Sequence, residues 1–218
     1  MLAALSMVLG ACGVQPSPEV AAPRPIEPSA VSTPPAAVNT RLQYMNDRRF
    51  WDIIDRSLAA SGGSTERQAA ELEEILAAMP PAQIASFKAT FVSKNLELYT
   101  WDLWGAAYVV LGGGCSDDCF EYFRNWVVGQ GRDYFKALQR DTQVLADGRL
   151  VSDEQIGEAE LLAYAGEDAY LRSSSGRDLY EDYPDSPSTI ADGEPSGKAW
   201  DEEEVESLYP GLTPLSAD

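Results

Sequence analysis

From Asp47 onward, apolar residues recur at helical spacing. Phe50, Ile53, Ile54 and Leu58 stand at i, i+3, i+4 and i+8, one face of a helix, and Ser61-Gly62-Gly63 predicts its end. Thr65 with Gln68 reads as a capping-box start for a second helix. Its inward stripe is Leu72, Ile75, Leu76 and Met79, and Pro80-Pro81 closes it. Pro81 suits the first turn of a third helix, which carries Ile84, Phe87 and Phe91 inward.

Residues 100–111 are apolar on nearly every side, with Trp104, Ala107, Tyr108 and Leu111 as one stripe and Val109 and Val110 beside it. Such a pattern predicts a central, buried helix, broken by Gly112-Gly113-Gly114. Ser116 then reads as an N-cap, with Asp117 and Asp118 in the first turn, where the helix dipole favours negative charge. Phe120, Phe123 and Val127 face inward, and Gly129 or Gly131 supplies the stop. A short amphipathic segment follows with Tyr134, Phe135 and Leu138. A last helix over 158–171 carries Leu161, Leu162, Ala165 and Ala169.

Beyond residue 177 the pattern fades into an irregular acidic extension. Between Asp178 and Glu206 there are eleven acidic residues against Lys198 alone, so Glu202-Glu203-Glu204 reads as a solvated face. Trp200 and Tyr209-Pro210 are the residues placed to pin this tail back onto the helices.

Upstream of the helices the chemistry differs. Residues 1–12 are an apolar run ending Leu9-Gly10-Ala11-Cys12, which resembles the lipobox of bacterial lipoproteins, although no Lys or Arg precedes the run as an n-region requires. The run is shorter than the ~20 apolar residues that span a bilayer. Residues 13–44 hold seven of the chain's 14 prolines, a composition that favours extended polyproline conformations and suits a tether. The expectation is a lipid on Cys12, anchoring the domain in the cell envelope. A cytoplasmic protein starting at Met45 is the alternative.

The 35 acidic and 16 basic residues give a formal charge of -19 over 218 residues. That field repels nucleic acid, whose phosphates need clustered Lys and Arg, so no nucleic-acid partner is expected and the membrane is reached only through Cys12. A protein partner of basic character is the complementary expectation. The chain has no histidine, which removes Ser-His-Asp and Cys-His catalysis and His-ligated zinc. No cofactor and no metal are expected.

Three groups of polar residues are candidates for chemistry. Asp117 and Asp118 are either acids complementing a helix N-terminus or paired carboxylates for acid/base work. Adjacent helical residues point about 100° apart, which disfavours a shared target. Asp102, with Thr100 as cap, is either a first-turn acid or part of a cleft. If these residues form one site, Asp102, Asp117 and Asp118 carry its catalysis and Trp104, Arg124 and Arg132 its binding, in a single aromatic-walled pocket. Cys115 and Cys119 are four apart, and Cβ atoms at i, i+4 of a helix lie ~5–6 Å apart, wider than a disulfide. Free buried thiols are the expected state, and a bridge requires Cys115 to sit outside the helix, before its cap. The glycine triplet lacks the spacing of either phosphate-binding loop, and the acids after it oppose a phosphate.

The string F-W-x-I-I at 50–54, W-D-L-W-G-A-A-Y at 101–108, G-C-S-D-D-x-F-x-Y-F-R-x-W at 114–126 and Q-G-R at 130–132 resemble the bacterial family catalogued as domain of unknown function 4240. The later G-x-x-W-D-E at 197–202 and L-Y-P at 208–210 also resemble that family's C-terminal end. The resemblance implies no activity.

The expected architecture is therefore all-α: a compact bundle of about six helices over 45–176, with an acidic irregular extension of the same domain over 177–218. The expected function is a non-enzymatic protein-interaction module. The alternative is a carboxylate-based hydrolase or small-ligand enzyme around Asp117 and Asp118.

Overall fold

A computed structural model describes residues 42–150, 152–188 and 193–215, which belong to one compact unit. Cys12 and nearly all of the proline-rich segment lie outside the described residues. The described residues form ten α-helices and one 3₁₀ helix: α1 Asp47–Ser61, α2 Thr65–Ala77, α3 Pro81–Glu97, α4 Trp101–Val110, α5 Asp117–Gly129, α6 Arg132–Leu138, the 3₁₀ helix Thr142–Asp147, α7 Glu154–Glu158, α8 Glu160–Ser173, α9 Leu179–Asp182 and α10 Val205–Leu208. No strand occurs among them, and a single parallel bridge joins Thr100 to Ser196. The fold is all-α, as the periodicity predicts. The four helices beyond the expected six are short: α6, α7, α9 and α10.

Local sequence explains most of the ends. Asn46 caps α1, and Gly62 closes it in the left-handed region. Thr100 accepts from the Leu103 amide at 3.1 Å to cap α4, and Ser116 accepts from the Cys119 amide at 3.3 Å to cap α5; each such cap is worth about 1 kcal/mol. The start of α2 departs from expectation. Ser64, not Thr65, is its cap, accepting from the Arg67 amide at 3.1 Å. Gln68 is buried instead and donates from Nε2 to the Gly129 carbonyl at 2.7 Å, satisfying an orphan acceptor at the end of α5.

The core is built on α5 rather than α4. Helix α5 packs against α1, α3, α4, α6, α7 and α8 and buries Phe120, Phe123, Trp126, Val127 and Val128. At roughly 1.5–3 kcal/mol for each large apolar side chain, this helix is the chief contributor to the hydrophobic term. Around it α2 packs on α1 and α8, and α8 also packs on α3. Leu162, Ala165 and Ala169 of α8 are buried as expected, whereas Leu161 points out and is 42% exposed.

Helix α4 is not central. Its deepest residues are Leu103, Ala106 and Ala107, while Trp104 and Tyr108 of the predicted stripe are only half-buried. Its remaining apolar side is covered by the C-terminal tail, which explains how a helix apolar all round can lie at the edge. Trp200 meets Trp101 and Trp104 edge-on, with centroids 5.8 and 6.3 Å away, and its Nε1 donates to the Trp101 carbonyl at 2.8 Å. The Tyr209 hydroxyl donates to the Asp102 carbonyl at 2.7 Å, and the Leu215 amide to the Val110 carbonyl at 2.8 Å. The tail is thus pinned where the two aromatics predict. It is also less irregular than expected, since α9 and α10 bury Leu179 and Val205.

Candidate functional site

The six residues expected to share one pocket are distributed over separate surroundings. Asp102 is exposed in the first turn of α4 and accepts from the Tyr209 hydroxyl at 3.2 Å, so it serves the tail contact. Asp117 and Asp118 are both exposed in the first turn of α5. Trp104 and Arg124 do come together, through Phe120. The Trp104 ring stacks on Phe120 at 5.0 Å, and its Nε1 donates to the Cys115 carbonyl at 3.0 Å. The Arg124 guanidinium lies 5.0 Å from the Phe120 centroid and 4.8 Å from that of Tyr99.

Arg124 is a core residue, 3% exposed, rather than a ligand-facing one. It donates to the Phe120 carbonyl at 3.3 Å and the Asn95 carbonyl at 3.4 Å. Burial pushes its pKa down to about 10, against smaller opposing effects of Glu121 and Tyr99. It remains a cation at neutral pH.

Cys115 and Cys119 are joined in a disulfide, with their Cα atoms 5.1 Å apart. This corrects the expectation of free thiols. The physical reason is the position of Cys115, which precedes the Ser116 cap and so escapes helical i, i+4 geometry.

Asp118 does line a recess, but in company the sequence pattern did not indicate. A groove of about 390 Å³ lies among α3, α5, α8 and the segment after α9, walled by Lys88, Asp118, Glu121, Tyr122, Glu160, Tyr164, Glu167, Tyr180 and Ser186. Tyr122 and Tyr164 both donate to Glu160 Oε1, each at 2.9 Å. Tyr180 donates to Glu167 Oε1 at 2.7 Å. The hydrogen bond to Glu160 pushes the Tyr122 hydroxyl up to about 12, and burial followed by the bond to Glu167 raises Tyr180. At neutral pH all three phenols therefore remain donors. Lys88 is 4% exposed and fully engaged, its Nζ 2.7 Å from Glu167 Oε1 and 2.7 Å from the Ala163 carbonyl. The groove accordingly holds four carboxylates and one cation that is already paired.

Lys88 had a sequence signal. It falls four residues after Ile84 and three before Phe91, a charge on the inward stripe of α3. Glu160, Tyr164 and Glu167 had none, because they join Tyr122 and Tyr180 only through tertiary packing.

Arg132 lies on the other side of the α5 C-terminus, in a second cleft of about 380 Å³ between α1 and α6. It pairs with Asp47 at 3.3 Å. Asp55, in the same cleft, has its pKa raised by burial first, then by Asp133 and Asp52. A carboxyl whose folded pKa exceeds its unfolded value contributes full stability below the unfolded value, and that contribution is lost as pH rises through the folded one. Asp55→Asn is therefore expected to be more stable than the wild type at pH 7. Urea midpoints should converge near pH ~3, where the carboxyl is neutral in both states. A variant less stable at pH 7 would contradict this.

Among the described residues no group of three or more Cys, Asp or Glu side chains is placed to hold a metal ion, and no helix is long and apolar enough to cross a membrane.

The sequence model of the family described as "Protein of unknown function (DUF4240)" matches residues 45–172, more than half of the chain. The chain belongs to the DUF4240 family. The match takes in α1 to α6 and nearly all of α8, hence most of both recesses. It ends before the tail, so the strings at 197–202 and 208–210 lie outside it. No curated protein and no solved structure matches the chain. The DUF4240 segment thus supplies Arg124, Arg132 and most of the groove walls, while Tyr180, Ser186 and the cover over α4 come from beyond it.

Proposed function

We propose that this DUF4240 protein is a non-enzymatic interaction module, held at a membrane by a lipid on Cys12, whose α3–α5–α8 groove docks a basic protein partner. The observation that carries the reading is the composition of the groove. Asp118, Glu121, Glu160 and Glu167 face one buried, already paired Lys88, so the missing counter-charge is one a partner's Arg or Lys side chains can supply. Tyr164 and Tyr180, both in the groove lining, are 45% and 40% exposed. Rigid aromatics beside carboxylates suit cation–π and charge-assisted contacts to a guanidinium. The net charge of -19 adds long-range attraction for the same partner.

The envelope location draws support from two features. Cys12 follows Leu9-Gly10-Ala11, and the Cys115–Cys119 bridge suits an oxidising compartment. Mass spectrometry of the membrane fraction from the source cell is expected to find a lipid-modified Cys12. An unmodified chain confined to the soluble fraction would remove the anchor from the proposal.

The docking reading is tested with the full chain carrying a photoreactive residue at position 164. Crosslinking in the source cell is expected to trap a protein of basic charge. The purified pair should then lose about 100-fold in affinity with Glu160→Lys and weaken steeply with salt. A trapped protein of acidic charge, or an affinity that Glu160→Lys leaves unchanged, overturns it.

A further inference from the structure

Helix α8 carries apolar residues on its outer side as well as its inner one. Among the described residues six large apolar or aromatic side chains stand exposed, and three of them, Leu161, Tyr164 and Leu171, belong to α8 at 42%, 45% and 49%. Together with the exposed Asp168 they fall at i, i+3, i+7 and i+10, within an arc of about 80° on the helix. Exposed apolar residues scattered singly are ordinary, whereas several on one line of a helix mark a contact surface. From Leu161 to Leu171 the line runs ~15 Å.

Both edges of the line are acidic. Glu160 and Glu167 follow it on the groove side. Oε1 of Glu160 accepts from Tyr122 and Tyr164, and Oε1 of Glu167 from Lys88 and Tyr180. These bonds fix both carboxylates and leave each Oε2 outside them. On the opposite edge Arg172 lies 2.6 and 2.7 Å from Glu73 and Glu74 of α2, two carboxylates to one cation. A second copy of the chain would bring the same acids and the same net charge of -19, so repulsion disfavours it as the occupant. What matches the face is an apolar ridge bordered by cations.

From this placement we infer that the outer face of α8 receives a basic amphipathic helix of the partner. Its apolar ridge lies on Leu161, Tyr164 and Leu171, and its Arg or Lys side chains meet the two acidic edges. The inference rests on the groove reading above and extends it, making the docking element helical and anchoring it outside the groove as well as in it. Tyr164 joins the two parts, because it belongs to the line and to the groove lining alike, whereas Leu161 and Leu171 lie outside that lining.

The test is fluorescence anisotropy of the full chain with a labelled synthetic peptide of about 18 residues, with leucines at i, i+3, i+7 and i+10 and arginines and alanines elsewhere. It is expected to bind with Kd below about 10 μM, and about 10-fold more tightly than a scrambled peptide of the same composition. Leu161→Gln and Leu171→Gln change exposed side chains to another helix former. Each is expected to weaken the ordered peptide about 10-fold and to leave the scrambled one unchanged, while Glu160→Lys weakens both. If the two peptides bind alike and only Glu160→Lys weakens them, the inference is overturned and the groove reading stands. If Glu160→Lys changes neither affinity, both fall. An ordered peptide that does not bind at about 1 mM overturns the inference, as does sedimentation showing a dimer of the chain that Leu171→Gln dissociates.

Discussion

Replacing Arg124 with alanine is expected to destabilise the protein by about 3 kcal/mol, whereas Arg124→Met stays within about 1 kcal/mol of the wild type. The contrast follows from opposing terms of similar size. Burial penalises the guanidinium and lowers its pKa. The ring faces of Tyr99 and Phe120 and the carbonyls of Phe120 and Asn95 return much of that cost. A desolvated cation–π contact is worth about 2 kcal/mol, so the charge nearly cancels itself and the packing of the side chain remains as the net contribution. Methionine refills most of that volume with a flexible apolar chain. Alanine leaves a cavity between Phe120 and Tyr99, in a helix that packs against six others. Urea denaturation followed by tryptophan fluorescence distinguishes the two. Equal losses in both variants would show that the charge, not the packing, is what the core requires.

The second large effect belongs to Gly105. A Cβ at this position would stand 2.7 Å from the Tyr209 hydroxyl and 2.9 Å from the Trp200 ring. Neither can retreat cheaply, because each is tied by hydrogen bond to the α4 backbone. Alanine gains up to about 1 kcal/mol of helix propensity over glycine. It loses more by forcing the tail off α4, since overpacking of this kind costs about 1–3 kcal/mol in addition. Gly105→Ala is therefore expected to lower stability by about 1–2 kcal/mol and to make the segment after residue 182 sensitive to protease at low dose. A variant as stable and as resistant as the wild type would mean that the tail does not hold to α4 in solution.

Much of this fold was legible in the sequence because α1, α2, α3 and α5 each bury one stripe of large apolar residues. Helix α4 misled for a physical reason. Hydropathy reports that a surface is covered, not by what, and here the cover is an acidic tail rather than neighbouring long helices. Trp200, Val205 and Tyr209 do that covering as isolated apolar residues in a charged background, too sparse to form a period. The buried polar residues were hidden for the opposite reason. Lys88, Asn95, Arg124 and Asn125 are all 4% exposed or less, in positions where a polar letter ordinarily marks solvent. The two recesses are assembled from helices far apart in the chain, so the sequence shows them only in fragments. Only Lys88, out of place on the inward stripe of α3, and the Gln130-Gly131-Arg132 string gave a local sign of either.

The return of the tail over α4 has a consequence for how the molecule behaves in solution. The family match stops at residue 172, so a fragment cut there would lack Trp200, Tyr209 and Leu215. It would bare Trp101, Trp104, Gly105 and Tyr108 as one aromatic patch, the kind of surface through which copies of a protein adhere to each other. The same tail carries eleven of the acidic residues between Asp178 and Glu206, charge that keeps neighbouring molecules apart. One segment thus both covers the aromatic face of α4 and carries charge that repels other copies of the chain.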